Sequence, residues 1–280
     1  MLRFKPNRSV QSHLKYFGKS IAELDTIELE NIRHRLTQLQ SETPVVSICM
    51  IAWNEERNIV AALSSLSQQR SRYPMEIIVV DNNSTDRTAE SIRALGAHYV
   101  SESNQGYAWA RQRGIVEAKG RYVLSADADT VYPERWVETL VKALDKPNVA
   151  CVYSLHAFFT HDGRYPLSLM LYQWLKYVGI WIKDFKRPHL NCGGAGMGFK
   201  KDLATQAGGY DVNVVRGSDG TLAFELGKLG GVNMVSSTEG QIWTSMRRTE
   251  LDGSLWNAFW KRFALQMRYF LHYFSPQKER

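Results

Sequence analysis

Apolar side chains fall along this chain in two rhythms. Residues 45–52 (VVSICMIA) and 76–80 (EIIVV) are short, nearly continuous apolar runs rich in β-branched residues, which predicts buried strands. Residues 98–100 and 121–126 predict two more. Between these runs the spacing becomes three and four: Ile59, Leu63 and Leu66 predict a helix over 57–69. Further helices are predicted over 87–95, 107–118 and 133–144, with Pro133 suited to the first turn of the last. Upstream, Ile21, Leu24, Ile32, Leu36 and Leu39 predict a helix over 21–40, and Ser41-Glu42-Thr43-Pro44 reads as a linker. Strands alternating with helices predict an α/β fold, a mostly parallel central sheet flanked by helices. The division expected is a helical extension and linker over 1–43, an α/β domain over 44–250 and a terminal helix over 251–280.

Two segments break that rhythm. The longest apolar stretch, residues 165–182, is interrupted by Lys176 and softened by Gln173 and Gly179, so a buried or interfacial helix is expected there, not a membrane span. Near the end, Trp256, Trp260, Phe263, Met267, Phe270 and Phe274 recur at three and four, with Lys261, Arg262 and Arg268 on other sides. Such a stripe suits an anionic membrane surface, or packing on its own domain or on a second copy as a homodimer.

The charge sharpens this picture. The 280 residues carry a formal net charge of +7, yet residues 1–20 hold five cations and no acid, and residues 241–280 hold seven cations against three acids. The body between them is mildly acidic, which disfavours nucleic acid as the partner. Three cysteines without CxxC spacing fit a reducing compartment, and no apolar leader follows Met1, so a cytoplasmic protein, peripheral on the inner face of a membrane, is expected.

In a parallel sheet, ligands bind beyond the carboxyl ends of the strands, and three polar clusters fall there. They are Trp53-Asn54-Glu55-Glu56, the run 81–86 (DNNSTD), and Asp127-Ala128-Asp129. Two carboxylates in an extended DxD would share a side and suit Mg²⁺ or Mn²⁺; alternatively they belong to a solvated turn that caps the helix starting near Pro133. Asp81 could accept an imide N–H from a base or join the capping of the helix after it. No GxGxxG follows the first strand and no GxxxxGK[ST] occurs, so Rossmann and P-loop chemistry lose their main support. The run 193–198 (GGAGMG) reads as a tight backbone approach within a strand.

Taken in order, PVVSICMIAWNEERN, EIIVVDNNSTDRTAE, NQGYAWARQRGIVEAKGRYVLSADADT, GGAGMGFKKDLATQAGGYD and GSDGTLAFELGKLG resemble family-2 glycosyltransferases of the GT-A fold, from about residue 44 to 248. The resemblance implies inverting transfer of a sugar from a nucleotide-sugar donor, UDP-linked by preference, with a divalent cation as cofactor. It implies that Ala52, Asn54 and Glu55 line the nucleoside pocket, that Asp81 faces the base and that Arg111 approaches the base or diphosphate. Asp127 would meet the ribose or metal, Asp129 would hold the metal, and Asp219 would be the general base. Arg247, with Arg248, would clamp the diphosphate.

The chain departs from the pattern at Ser218, Glu225 and Gln112, where the family commonly has Glu, Arg and Asn. It has only a loose echo, residues 266–269, of the QxxRW signature of processive synthases, so single-sugar transfer to a cell-envelope glycan or lipid-linked acceptor is expected. Asp219 could instead be the N-cap of a helix over 222–229. His156, His161 and His189 could supply a third metal ligand or pack an acceptor pocket. The rival functions are a degenerate nucleotide-sugar-binding or membrane scaffold and a nucleotidyltransferase.

Overall fold

The computed structural model describes residues 3–160 and 165–246. The chain opens with α1 (Arg8–Leu14), a 3₁₀ turn (Ile21–Glu23) and α2 (Thr26–Leu39), followed by β1 (Val46–Ala52) and α3 (Ile59–Leu66). Next come β2 (Met75–Asp81), α4 (Thr88–Ala94), β3 (His98–Ser101), α5 (Tyr107–Glu117), β4 (Tyr122–Asp127), the short β5 (Thr130–Val131) and α6 (Trp136–Leu144). The second half holds β6 (Val149–Ser154), β7 (His156–Phe159), α7 (Leu167–Lys186) and a 3₁₀ turn (Pro188–Asn191). It closes with β8 (Met197–Lys200), α8 (Lys201–Gln206), α9 (Ser218–Leu229), β9 (Gly231–Val235) and β10 (Ile242–Ser245).

Seven strands form the main sheet in the order β3-β2-β1-β4-β8-β6-β9, and β5-β10-β7 form a small second sheet. The first four strands of the main sheet are parallel, whereas β8 runs antiparallel to both β4 and β6. Every residue of β1 and β2 is buried, as expected for parallel strands covered on both faces. Alternation then divides their side chains between two cores. Ile48, Met50, Ile77, Val79 and Leu124 enter one with α3 and α6; Cys49, Ile51, Ile78, Val80 and Val123 enter the other with α5, α7 and α9.

The sequence expectations shift in three places. The helix expected over 21–40 is split, because Asp25 caps α2 by accepting the Glu28 amide at 2.7 Å. Pro133 precedes α6, its carbonyl accepting the Trp136 amide at 3.0 Å. Residues 8–14, for which no element was expected, form α1 under an Asn7 cap, and Val10, Ile32 and Leu36 are fully buried in the first core. The three cysteines are free and buried. Among the described residues, no helix is long and apolar enough to cross a membrane. Arg247, Arg248, His161 and the aromatic segment 251–280 lie outside the described residues.

Candidate functional site

Register aligns the site. Ala52 lies beside Asp81 across β1 and β2, and Ile51 beside Asp127 across β1 and β4, so three strand ends open on one edge. The first two polar clusters are laced together there. Asn54, at φ 53, accepts the Thr85 amide at 2.8 Å on its side-chain oxygen, and its own amide donates to Ser84 Oγ at 2.9 Å. Asparagine tolerates this left-handed conformation better than most residues. Glu55 is buried, accepts from Asn58 Nδ2 at 2.5 Å and donates its amide to Thr88 Oγ1 at 2.8 Å. Asn54 and Glu55 thus brace the loops at the cleft. Asp81 is buried and accepts the Ser84 amide at 3.2 Å and the Tyr99 hydroxyl at 3.3 Å.

The DxD differs from expectation. β4 ends at Asp127, and Ala128 and Asp129 form the turn into β5, so strand alternation does not place the two carboxylates on one side. The Asp127 amide donates to the Tyr132 hydroxyl at 2.8 Å, and the Asp129 carbonyl accepts the Ser245 amide at 3.3 Å, tying this turn to β10.

At the centre lies Arg111 of α5, nearly inaccessible to solvent. Its guanidinium donates to the Ala126 carbonyl at 3.0 Å and to Asp127, and Nε stands 3.5 Å from Asp219 Oδ1. Two carboxylates from distant segments are thereby drawn to one buried cation, which is held above its ordinary pKa by Asp127 and Asp219 against the desolvation of the site. The guanidinium sits between these two carboxylates. Gly194 makes the position possible: a Cβ there would fall on Nη2 and within 2.8 Å of Cζ. The glycine-rich run is thus the close approach expected of it. Gly196, at φ +90, and Gly198 likewise leave no room for a Cβ beside Ser154 and Leu124.

Asp219 is in the first turn of α9 but does not cap it; the N-cap is Gly217, at φ 83. Its side chain is 23% exposed, while Oδ1 is buried without a hydrogen bond. Burial pushes its pKa above the usual carboxylate value; Arg111 opposes this and Asp127 adds to it. Gln112 accepts the Tyr210 amide at 2.8 Å, and the Tyr210 hydroxyl contributes a hydrogen bond to Asp219. Gln112, Tyr210 and Gly194 were not expected as site residues. Residue 112 marks a departure from the family pattern, which was the one available signal.

Two carboxylate residues at the end of β4 offer hard oxygen ligands. Among the described residues, no group of three His, Cys, Asp or Glu could hold a metal, so His156 and His189 do not complete a protein-only site. His156 is held neutral instead, its pKa lowered to about 4 by burial and by Lys176. His189 packs edge-on against Phe224 at 5.1 Å. The donor set fits Mg²⁺ or Mn²⁺, which bind through one or two carboxylates and substrate phosphates.

Comparison with known proteins bears on the family and the fold. The family model described as Glycosyl transferase family 2 matches residues 47–205. A dolichol-phosphate mannosyltransferase of Mycosarcoma maydis is 34% identical over 117 residues, 38% of this chain and 40% of that protein. The Escherichia coli UDP-Glc:alpha-D-GlcNAc-diphosphoundecaprenol beta-1,3-glucosyltransferase WfgD is 26% identical over 145 residues, 49% of this chain and 57% of its own length. The chain therefore spans less than two thirds of either relative. Among solved structures, the mannosyltransferase PcManGT from Pyrobaculum calidifontis, in complex with GDP-Man and Mn²⁺, superposes with a TM-score of 0.56 at 20% identity. That match covers 77% of this chain and 64% of the other.

Proposed function

The chain belongs to glycosyl transferase family 2, and we propose that it moves a single sugar, with inversion, from a UDP-linked donor to a cell-envelope glycan or lipid-linked acceptor at the cytosolic face of a membrane. The observation that carries the reading is Asp219: a carboxylate of raised proton affinity, partly accessible, on a segment separate from the strand-end loops. In the proposed step, the acceptor oxygen attacks the anomeric carbon from the face opposite the leaving group. The bond from that carbon to the diphosphate oxygen breaks with its electron pair leaving on the nucleoside diphosphate, and the acceptor proton passes to Asp219. Asp81 and Ala52 would receive the nucleoside, with Asn54 and Glu55 fixing the loops around it. Arg111 is a positioning residue that keeps Asp127 and Asp219 together. Asp127 and Asp129 would hold a divalent cation; when bound, it would neutralise charge developing on the leaving diphosphate. Arg247 would reinforce that neutralisation. The lipid-linked acceptor and UDP are supported by the name of the E. coli relative, and the cation by the Mn²⁺ of the mannosyltransferase structure.

Asp219→Asn tests the assignment. The amide keeps shape and cannot take the proton, so UDP binding should stay within about twofold while turnover falls by about 10²–10⁴-fold. Nucleoside diphosphate release from a panel of nucleotide sugars reads turnover, and retained transfer would place the base elsewhere. Pyrophosphate release would favour nucleotidyl transfer instead.

A further inference from the structure

The longest described helix presents the wrong face to water. One side of α7 is anchored in the domain. There, Gln173 Oε1 accepts the Phe158 amide at 3.1 Å, the Tyr177 hydroxyl bonds Gln241 Nε2 at 3.0 Å, and Lys176 Nζ donates to the His156 carbonyl at 3.3 Å. The helix therefore cannot roll. Its opposite side exposes Leu167, Leu171, Trp174, Val178, Trp181 and Phe185, spaced four, three, four, three and four. Trp181 is 61% and Phe185 85% accessible. Apart from Lys186, every exposed residue of α7 is apolar, whereas an ordinary surface helix carries polar side chains there.

Charge identifies the occupant. Lys183, Lys186 and Arg187 cluster at the C-terminal end of the helix, and its one acid, Asp184, is engaged by the Tyr153 hydroxyl. Half of the stripe is aromatic, which suits a headgroup boundary better than the aliphatic seam of paired helices. The surface also leads toward the catalytic base. α7 runs into the 3₁₀ turn Pro188–Asn191, whose Leu190 is exposed and whose His189 meets the half-exposed Phe224 of α9, the helix that carries Asp219.

We propose that α7 is a membrane-docking helix: it lies in the plane of an anionic bilayer with Trp174 and Trp181 at the headgroup boundary and its terminal cations against lipid phosphates. This deepens the lipid-linked reading of the acceptor and rests on that reading for its purpose, but docking is measured without transfer.

The full chain is sedimented with phosphatidylcholine vesicles containing or lacking phosphatidylglycerol. It should pellet with the anionic vesicles, and Trp174→Glu/Trp181→Glu should weaken partitioning about tenfold or more. Nucleoside diphosphate release from donor without vesicles should be unchanged in that variant. Docking without transfer by the wild type would sink the enzymatic reading alone. No pelleting by the wild type would overturn the proposal. So would equal pelleting by the variant, which would assign docking to another segment such as residues 247–280. A dimer that the variant dissociates, with neither protein pelleting, would assign the face to a second copy. Should the charged variant misfold, Trp174→Phe/Trp181→Phe decides: pelleting persists while quenching of tryptophan emission by brominated lipid falls, and undiminished quenching overturns the proposal.

Discussion

Gly194→Ala isolates the central cation, because it adds one methyl group and touches neither carboxylate. The new Cβ would occupy the place of Arg111 Nη2 and approach Cζ to 2.8 Å and Nε to 3.0 Å. The guanidinium must withdraw, weakening its bonds to the Ala126 carbonyl and Asp127 and its approach to Asp219. Hydrogen bonds to charged groups contribute about 1.5–3 kcal/mol each, and breaking a buried pair costs about 3–5 kcal/mol. The smaller freedom of an unfolded alanine returns about 0.4–1 kcal/mol. The net expectation is a loss of about 2–4 kcal/mol, or a fall in Tm of about 3–7 °C for a chain of this size. A second readout separates this from general loosening. Arg111 holds the Asp219 pKa down, so its withdrawal should move the acid limb of kcat to higher pH. Calorimetry and the pH dependence of nucleoside diphosphate release check both, and a variant with wild-type Tm and an unmoved acid limb would refute the assigned role of Arg111.

Asp129→Ala should abolish the Mn²⁺ dependence of donor binding while leaving metal-free binding in place; titration curves that still respond to Mn²⁺ would remove it from the ligand set. His13 is buried against Ser64 Oγ at 2.9 Å, and burial, then Arg35, lowers its pKa to about 4. Between that value and about 6.5 the unfolded chain binds more protons, so stability is complete above the unfolded pKa and declines as pH falls through the window, by about 2–3 kcal/mol. His13→Gln should flatten this part of the urea-midpoint profile between pH 7 and 4. Gly120→Ala should destabilise by about 1–3 kcal/mol or more in urea unfolding, because its Cβ would stand 2.6 Å from the Ser47 backbone nitrogen, where nothing flexible can yield.

How much of this was legible depended on the range of the interaction. Strands β1, β2 and β4 were readable because burial on both faces leaves continuous apolar runs, and their polar ends marked the edge where Asp81 and Asp127 stand. The turn that separates Asp127 from Asp129 was open only as the alternative to an extended segment, because the small second sheet that fixes it joins β5 to β10, far along the chain. Gly194 over Arg111, and Gln112 on the Tyr210 amide, are likewise long-range fits with no local period. In α7 the apolar run was visible and the facing was not: Leu169, Gln173, Tyr177 and Ile180 are buried, while the more apolar stripe is exposed. Among the described residues nothing covers that stripe, and the bilayer proposed above would reconcile its orientation with the ordinary rule of burial.

On the proposed reading, the arrangement around Arg111 also gives a reason for a base on so distant a segment. A carboxylate beside Asp127 on the same strand end would compete with it for cation and proton, and two like charges in contact raise each other's pKa. Placing Asp219 on α9 puts a buried guanidinium between the two groups, which offsets their mutual repulsion. The balance is unequal by construction. Asp127 takes the direct hydrogen bond, whereas Asp219 Oδ1 receives only the longer approach of Nε, and burial raises the Asp219 pKa. In the proposed mechanism, metal holding and proton acceptance thereby fall to different carboxylates through the geometry of one arginine, beside which Gly194 leaves room by having no side chain.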